Sequence, residues 1–285
     1  MLDSVEALPF SAAAAHYDAG RPPYAPQALG LVADLFQIGP GVRVLDLGCG
    51  PGTLAIPFSR RGCEVVAVDP DPAMLSEGRR LAVERGGGDL QWICGRAEEV
   101  LSELGTFQLV TMGQSLHWMD RDRVLQLLGS AIVGGGGLAI FDEAPSSVES
   151  WSAVAARLVA RYLGRTVRHP MKHPESAHEP SLRRSVHFAG FEEHRFETSF
   201  ARSESSILSC IYSGVHSSRP MFGERADRFE AELMEALAAL RPDGGFRENT
   251  TTRVLVARRS HQSPCGAASG NAGRAEGVVR RAPGD

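Results

Sequence analysis

Cysteine is scarce in this chain. There are five, an odd number, scattered and without a CxxC pair. That pattern excludes a disulfide framework and a paired-cysteine zinc site, and it fits reduced thiols in a cytoplasm. No window holds the roughly 18 consecutive apolar residues that a membrane span needs. The opening stretch MLDSVEALPF has neither the basic start nor the apolar run of a secretory signal. Positive charge is not in excess: 30 Lys+Arg stand against 34 Asp+Glu, a net charge of −4. No bulk basic field is present to grip nucleic-acid phosphates. Aromatics are only 7%, yet hydrophobic residues make up 43% of the 285. That is too apolar for a disordered chain and enough for one large core, or for one domain with a cap. The balance is that of a soluble globular enzyme.

The first 40 residues break the later rhythm. LPFSAAAAHYDAGRPPYAP (8–26) reads as a short helix followed by an irregular, proline-broken arm. A second helix is predicted over 26–36, ended by Gly39-Pro40-Gly41. Apolar strands then alternate with helices of about ten residues. Strands are predicted at VRVLDL (42–47), EVVAVD (64–69), 90–94, FQLVTM (107–112) and LAIFD (138–142). Helices are predicted at 53–61, 72–85, 97–104 and 121–132. This order implies a Rossmann-like, doubly wound, mostly parallel sheet covered on both faces. Beyond Ala144 the pattern loosens into a helix (151–163), a polar loop or lid (164–180), a strand (191–200), helices (203–212 and 224–240) and a closing strand RVLVAR (253–258). The expected organisation is an arm or lid (1–40), a core (41–144), a substrate cap carrying the late strands (145–250), a closing strand (251–259) and a disordered tail (260–285).

The strongest signal is VLDLGCGPG (44–52), a strand that runs into a turn of three glycines and then a helix. A bare strand-to-helix turn needs one glycine. Three let the backbone pass close to a ligand. A dinucleotide fingerprint spaces its glycines GxGxxG, to bring a pyrophosphate onto a helix N-terminus. Here Thr53 stands at the third position and the spacing is GxGxG. Asp46, an acid at the strand end, would repel a pyrophosphate and suits the cationic methionyl end of S-adenosylmethionine. Asp69 ends the second strand, 19 residues beyond Gly50, where an acid accepts from ribose hydroxyls in either cofactor class.

VLDLGCGPG, followed by VVAVDPDPAML and GRAEEV, resembles the class I S-adenosylmethionine-dependent methyltransferases, in particular their small-molecule (type 11) branch and its bacterial natural-product members. The arm FSAAAAHYDAGRPPY, the segment QSLHWMDR and the stretch ALAALRPDGGFRENTTTRVLVARR extend the resemblance over about 10–258. It implies that Gly48 and Gly50 admit the methionyl part, with Asp46 under its amino group. It further implies that Asp69 binds the ribose, that Pro70 and Met74 pack on the adenine, and that Ala97 and Glu98 meet the adenine edge. Tyr17 and Arg21 would fold over the cofactor, with Arg21 pairing with its carboxylate. Arg96 departs from the pattern, since many class I enzymes carry an acid there.

Ligands of such a sheet sit at the carboxyl ends of its strands. Gln114, at the end of the fourth strand, is placed with the cofactor-binding residues. Candidate bases are Tyr24, His117, Glu143, His173 and His178. Each has a plainer reading: His117 packs with Trp118, Glu143 is solvated, Tyr24 is a packing aromatic, and the histidines belong to a surface loop. His169, His173 and His178 are interrupted by Pro170 and Pro174, so no single helix face presents them and no metal site is expected.

The reading is an S-adenosylmethionine-dependent methyltransferase that leaves S-adenosylhomocysteine and acts on a small, ring-containing acceptor. One case is carbon methylation of the indole of a tryptophan-derived cyclic dipeptide, where proton loss gives a base a role. O- or N-methylation of another metabolite, and a protein that binds the cofactor without transferring, stay open. An NAD-dependent oxidoreductase is disfavoured by the GxGxG spacing and Asp46. The expected partner is a small molecule, with no nucleic acid and no membrane, and a homodimer is left open.

Overall fold

A computed structural model describes residues 10–146, 150–164, 178–188, 190–241 and 245–260. Seven strands form one sheet: β1 (Arg43–Leu47), β2 (Glu64–Asp69), β3 (Leu90–Cys94), β4 (Phe107–Gly113), β5 (Ile132–Pro145), β6 (Glu192–Arg202) and β7 (Phe246–Arg258). Their spatial order is β3-β2-β1-β4-β5-β7-β6. The first five run parallel, and β7 is antiparallel to both β5 and β6. The chain builds outward from β1 to β3, then returns to the other side of β1 with β4. The strand order reverses there, and a crevice opens beyond the carboxyl ends of β1 and β4.

Each inner strand is apolar on both faces because helices cover both. Val44 of β1 and Val65 and Ala67 of β2 point into one cluster, which also holds Ala28, Val32 and Phe36 of α2 (Pro26–Leu35) and its C-cap, and Phe58 of α3 (Ala55–Ser59). Leu45, Leu47, Val66 and Val68 point into the opposite cluster, with Leu101 and the apolar face of a later helix, Val124, Leu125 and Leu128. The two-residue period of the strands sorts them. It also places Asp46 on the side of Val44, which is where α2 and α3 pack.

Between β2 and β7 the helices are α4 (Pro72–Glu84), α5 (Ala97–Val100), α6 (Arg121–Ala131), α7 (Ser150–Leu163), α8 (Glu179–Arg184), α9 (Glu204–Tyr212) and α10 (Ala226–Leu240). Asp71 caps α4 by accepting from the Ala73 N–H, with Pro72 in its first turn, and Asp120 caps α6. Helices α7, α9 and α10 share a third core with Phe246 at the start of β7. The arm helix α1 (Ala14–Gly20) lies against α9, and Arg202 reaches the carbonyl of Gly20 at its end.

β7 begins at Phe246, seven residues before the apolar stretch that predicted it. FRENTTT alternates buried and exposed positions, the pattern of a half-buried antiparallel strand. Its polar residues concealed this when it was read as linear text. The predicted tail after Ser260, His169, His173 and most of the predicted 164–180 loop lie outside the described residues.

Candidate functional site

The crevice has two lobes that share Tyr17, Gly48, Gly50, Gly113 and Gln114. The glycine turn floors both. Gly48 and Gly50 adopt φ of 65° and 53°, a region that side chains other than glycine rarely enter. A Cβ on Gly48 would lie 2.4 Å from that of Ser115, whereas one on Gly50 would meet nothing, so Gly50 faces open space.

The wider lobe, about 340 Å³, is lined by Asp69, Pro70, Met74, Ala97, Glu98 and Trp118, with Phe10, Ser11 and Tyr17 of the arm opposite. It lies in the size range of small-ligand pockets, about 300–1,000 Å³. Asp69 accepts from the N–H groups of Gly50 and Asp71, both at 2.9 Å, so its carboxylate also holds the turn. Burial raises its pKa, and those two N–H groups oppose the rise. Glu98 accepts from the Asp120 N–H at 2.9 Å. The Ser11 hydroxyl donates to Asp71 at 2.9 Å, and Phe10 meets Trp118 edge-to-face with ring centroids 5.5 Å apart. The arm is therefore docked across this lobe.

The narrow lobe, about 40 Å³, is lined by Arg21, Tyr24, Asp46, Leu54, Gln114 and Glu143, among others. Asp46 accepts from the Ala55 N–H at 3.1 Å and the Thr111 hydroxyl at 2.9 Å. Burial pushes its pKa to about 7 against those two bonds, with the Asp69 charge adding to the rise. Glu143 is 3% exposed. Its Oε2 accepts from the Thr252 hydroxyl at 2.5 Å, and its Oε1 has no hydrogen-bond partner. Burial raises Glu143 to about 7. The Thr250 and Thr252 hydroxyls oppose that rise. Tyr24 packs on Phe141, with ring centroids 5.4 Å apart. Burial, then Tyr17, then Glu143 push its phenol upward, so it stays protonated. Arg21 donates to the Ser213 carbonyl at 3.2 Å and lies 5.0 Å over the Tyr17 ring. Gln114 holds a positive φ of 50° and donates through its side chain to the Glu143 carbonyl. A non-glycine residue in that conformation stores strain, and here it lies where both lobes meet.

His117 and His178 line neither lobe. Their rings are 6.4 Å apart, and His178 Nε2 is 3.6 Å from Asp142 Oδ1. His173 lies outside the described residues. Sequence reasoning missed Thr252, Phe10 and Ser11. The only available signal for Thr252 was the threonine run 250–252, which says nothing about what those hydroxyls face.

Residues 44–136 match the family model described as "Methyltransferase domain". That stretch is similar to a methyltransferase domain over about a third of the chain. That span holds Asp46, the glycine turn, Asp69, Met74, Ala97, Glu98, Gln114 and His117. The arm, Glu143 and Thr252 lie outside it. An uncharacterized methyltransferase of Mycobacterium bovis is 31% identical over 154 residues, 54% of this chain and 60% of that protein. A ubiquinone biosynthesis O-methyltransferase of Methylocella silvestris is 35% identical over 97 residues, 34% of this chain and 38% of that protein. The fold is also that of a protein from Anaeromyxobacter dehalogenans whose assignment as a type II methyltransferase is itself provisional. That likeness has a TM-score of 0.54 at 22% identity and covers 84% of this chain and 97% of the other. No helix among the described residues is long and apolar enough to cross a membrane.

Proposed function

We propose that this chain transfers the methyl group of S-adenosylmethionine to a small organic acceptor. The observation that carries the reading is the shape and polarity of the crevice. A wide lobe of nucleoside size, with the Asp69 carboxylate at its floor, opens into a narrow lobe that sets two carboxylates and a guanidinium around a few water-sized positions. The narrow lobe matches an amino-acid tail and has no room for the second nucleoside of NAD. When bound, S-adenosylmethionine would supply an electrophilic methyl on its sulfonium; an electron pair of the acceptor would bond to that carbon from the side opposite sulfur, and the C–S bond electrons would leave with sulfur as S-adenosylhomocysteine.

The chain's own part is binding and orientation. Asp69 faces the ribose position, Met74 and Ala97 wall the base, and Arg21 and Tyr17 close over the tail. Holding acceptor and methyl in line accounts for about 7–11 kcal/mol of such a barrier. A proton must leave only when the acceptor is protic, and Tyr24, held protonated, serves as a hydrogen-bond donor and not as a base. His117 lies outside both lobes but packs beside Trp118, which lines the wider one, with His178 and Asp142 behind it, and it is the base we favour for a protic acceptor. A ring-containing natural product is the acceptor class we favour. The indole carbon of a tryptophan-derived cyclic dipeptide is a case that would use such a base.

The test is turnover of methyl-labelled S-adenosylmethionine against a panel of phenols, amines, indoles and tRNA, with calorimetry of S-adenosylhomocysteine and NAD alongside. Label transfer to a small molecule, with S-adenosylhomocysteine bound and NAD not, supports the reading. NAD binding without S-adenosylhomocysteine binding refutes it. Transfer to tRNA refutes the acceptor class alone.

A further inference from the structure

With Glu143 ionised, the hydrogen bonds around it have one consistent direction. The Thr252 hydroxyl accepts from the Ala25 N–H at 2.8 Å and lies 2.5 Å from Glu143 Oε2. A backbone N–H can only donate, and a hydroxyl carries one hydrogen. That hydrogen therefore goes to Oε2. The position left for a further donor is Oε1, the oxygen that is buried and without a hydrogen-bond partner. Two adjoining features are arranged around it. Asp46 already has one donor on each oxygen. Arg21 lines the same lobe and provides its positive charge.

The lobe's size decides what can reach Oε1. A volume of about 40 Å³ holds roughly three water-sized groups at about 10–15 Å³ each. An aromatic acceptor does not fit, but an ammonium with a carboxylate beside it does. Resting on the proposed use of S-adenosylmethionine, we infer that Glu143 anchors the α-ammonium of the cofactor's amino-acid tail through Oε1, and so selects nucleosides that carry that tail. This assignment takes Glu143 out of the set of acceptor bases. It also ties the cofactor tail to the arm, through Ala25 and Thr252.

The experiment is calorimetric titration of the wild type and Glu143→Gln with three ligands: S-adenosylhomocysteine, its deamino analogue, and 5′-methylthioadenosine. The glutamine oxygen still accepts from Thr252, while its NH2 replaces the acceptor at Oε1. Glu143→Gln is expected to weaken S-adenosylhomocysteine about 10- to 100-fold, the loss of a charge-assisted bond. Affinity for the deamino analogue and for 5′-methylthioadenosine should stay within about twofold, which also reports an intact fold. Equal weakening of all three ligands overturns the inference, because Glu143 would then be structural. Unchanged S-adenosylhomocysteine affinity with lost turnover also overturns it and returns Glu143 to the role of base, leaving the cofactor reading in place. Failure of the wild type to bind any of the three overturns both.

Discussion

Breaking the buried ion pair between Arg202 and Glu248 should unfold the protein more readily than any surface change. Both side chains are 1% exposed, and Arg202 Nε lies 2.5 Å from Glu248 Oε2. Arg202 Nη1 also donates to the Gly20 carbonyl at 2.8 Å. Its guanidinium lies 4.9 Å over the Phe200 ring. Glu248→Ala leaves a guanidinium in the interior with a carbonyl as its main acceptor, a loss of about 3–5 kcal/mol. For a chain of this size that is a fall in Tm of roughly 6–15 °C. Arg202→Met leaves a carboxylate that can neutralise itself by taking a proton, so it should cost less, about 2–3 kcal/mol. The double variant Arg202→Met/Glu248→Ala should be more stable than Glu248→Ala, because no lone charge remains. The assay is urea denaturation of all variants without ligand, read as a double-mutant cycle. Losses that simply add, or a Glu248→Ala cost below about 1 kcal/mol, would refute the reasoning. Gly20 directly precedes Arg21, so the single variants should also loosen the arm and speed proteolysis between Ser11 and Tyr24.

Three further outcomes are expected. Asp46 and Glu143 both titrate near 7 in the folded chain because burial disfavours their charge. The native state thus keeps protons that the unfolded chain has lost above about pH 4. Ligand-free stability should be full below that pH and fall as pH rises through 7. Glu143→Gln should flatten that fall by on the order of 1–3 kcal/mol, and melts from pH 5 to 8.5 that superimpose for the two proteins would refute this. Gly20→Ala would set a Cβ 2.3 Å from the Ser209 carbonyl oxygen. It should cost about 1–3 kcal/mol, and protease mapping should show cleavage confined to the arm. Asp69→Ala removes the acceptor shared by the Gly50 and Asp71 N–H groups. It should weaken S-adenosylhomocysteine about 10- to 100-fold by calorimetry, and unchanged affinity would show that Asp69 serves the turn alone.

The signals legible in the sequence were local ones. Strand identity along β1, β2 and β4 followed from runs of buried apolar residues. The glycine turn followed from its spacing, and the parallel sheet from the alternation of strands and helices, because each depends on neighbours a few residues away. The crevice could be placed at the carboxyl ends of β1 and β4 because crossover handedness leaves few alternatives. What the sequence could not contain was the partner of each polar side chain. Glu143 meets Thr252 across 109 residues, and Thr252 meets Ala25 across 227. These contacts exist only because β7 inserts antiparallel beside β5 in the register that sets Glu143 opposite Thr252. A one-residue slip of that register would turn Thr252 to the other face. Read linearly, Glu143 before Ala144 and Pro145 looked solvated. Strand order and register bury it and orient its one bonded oxygen.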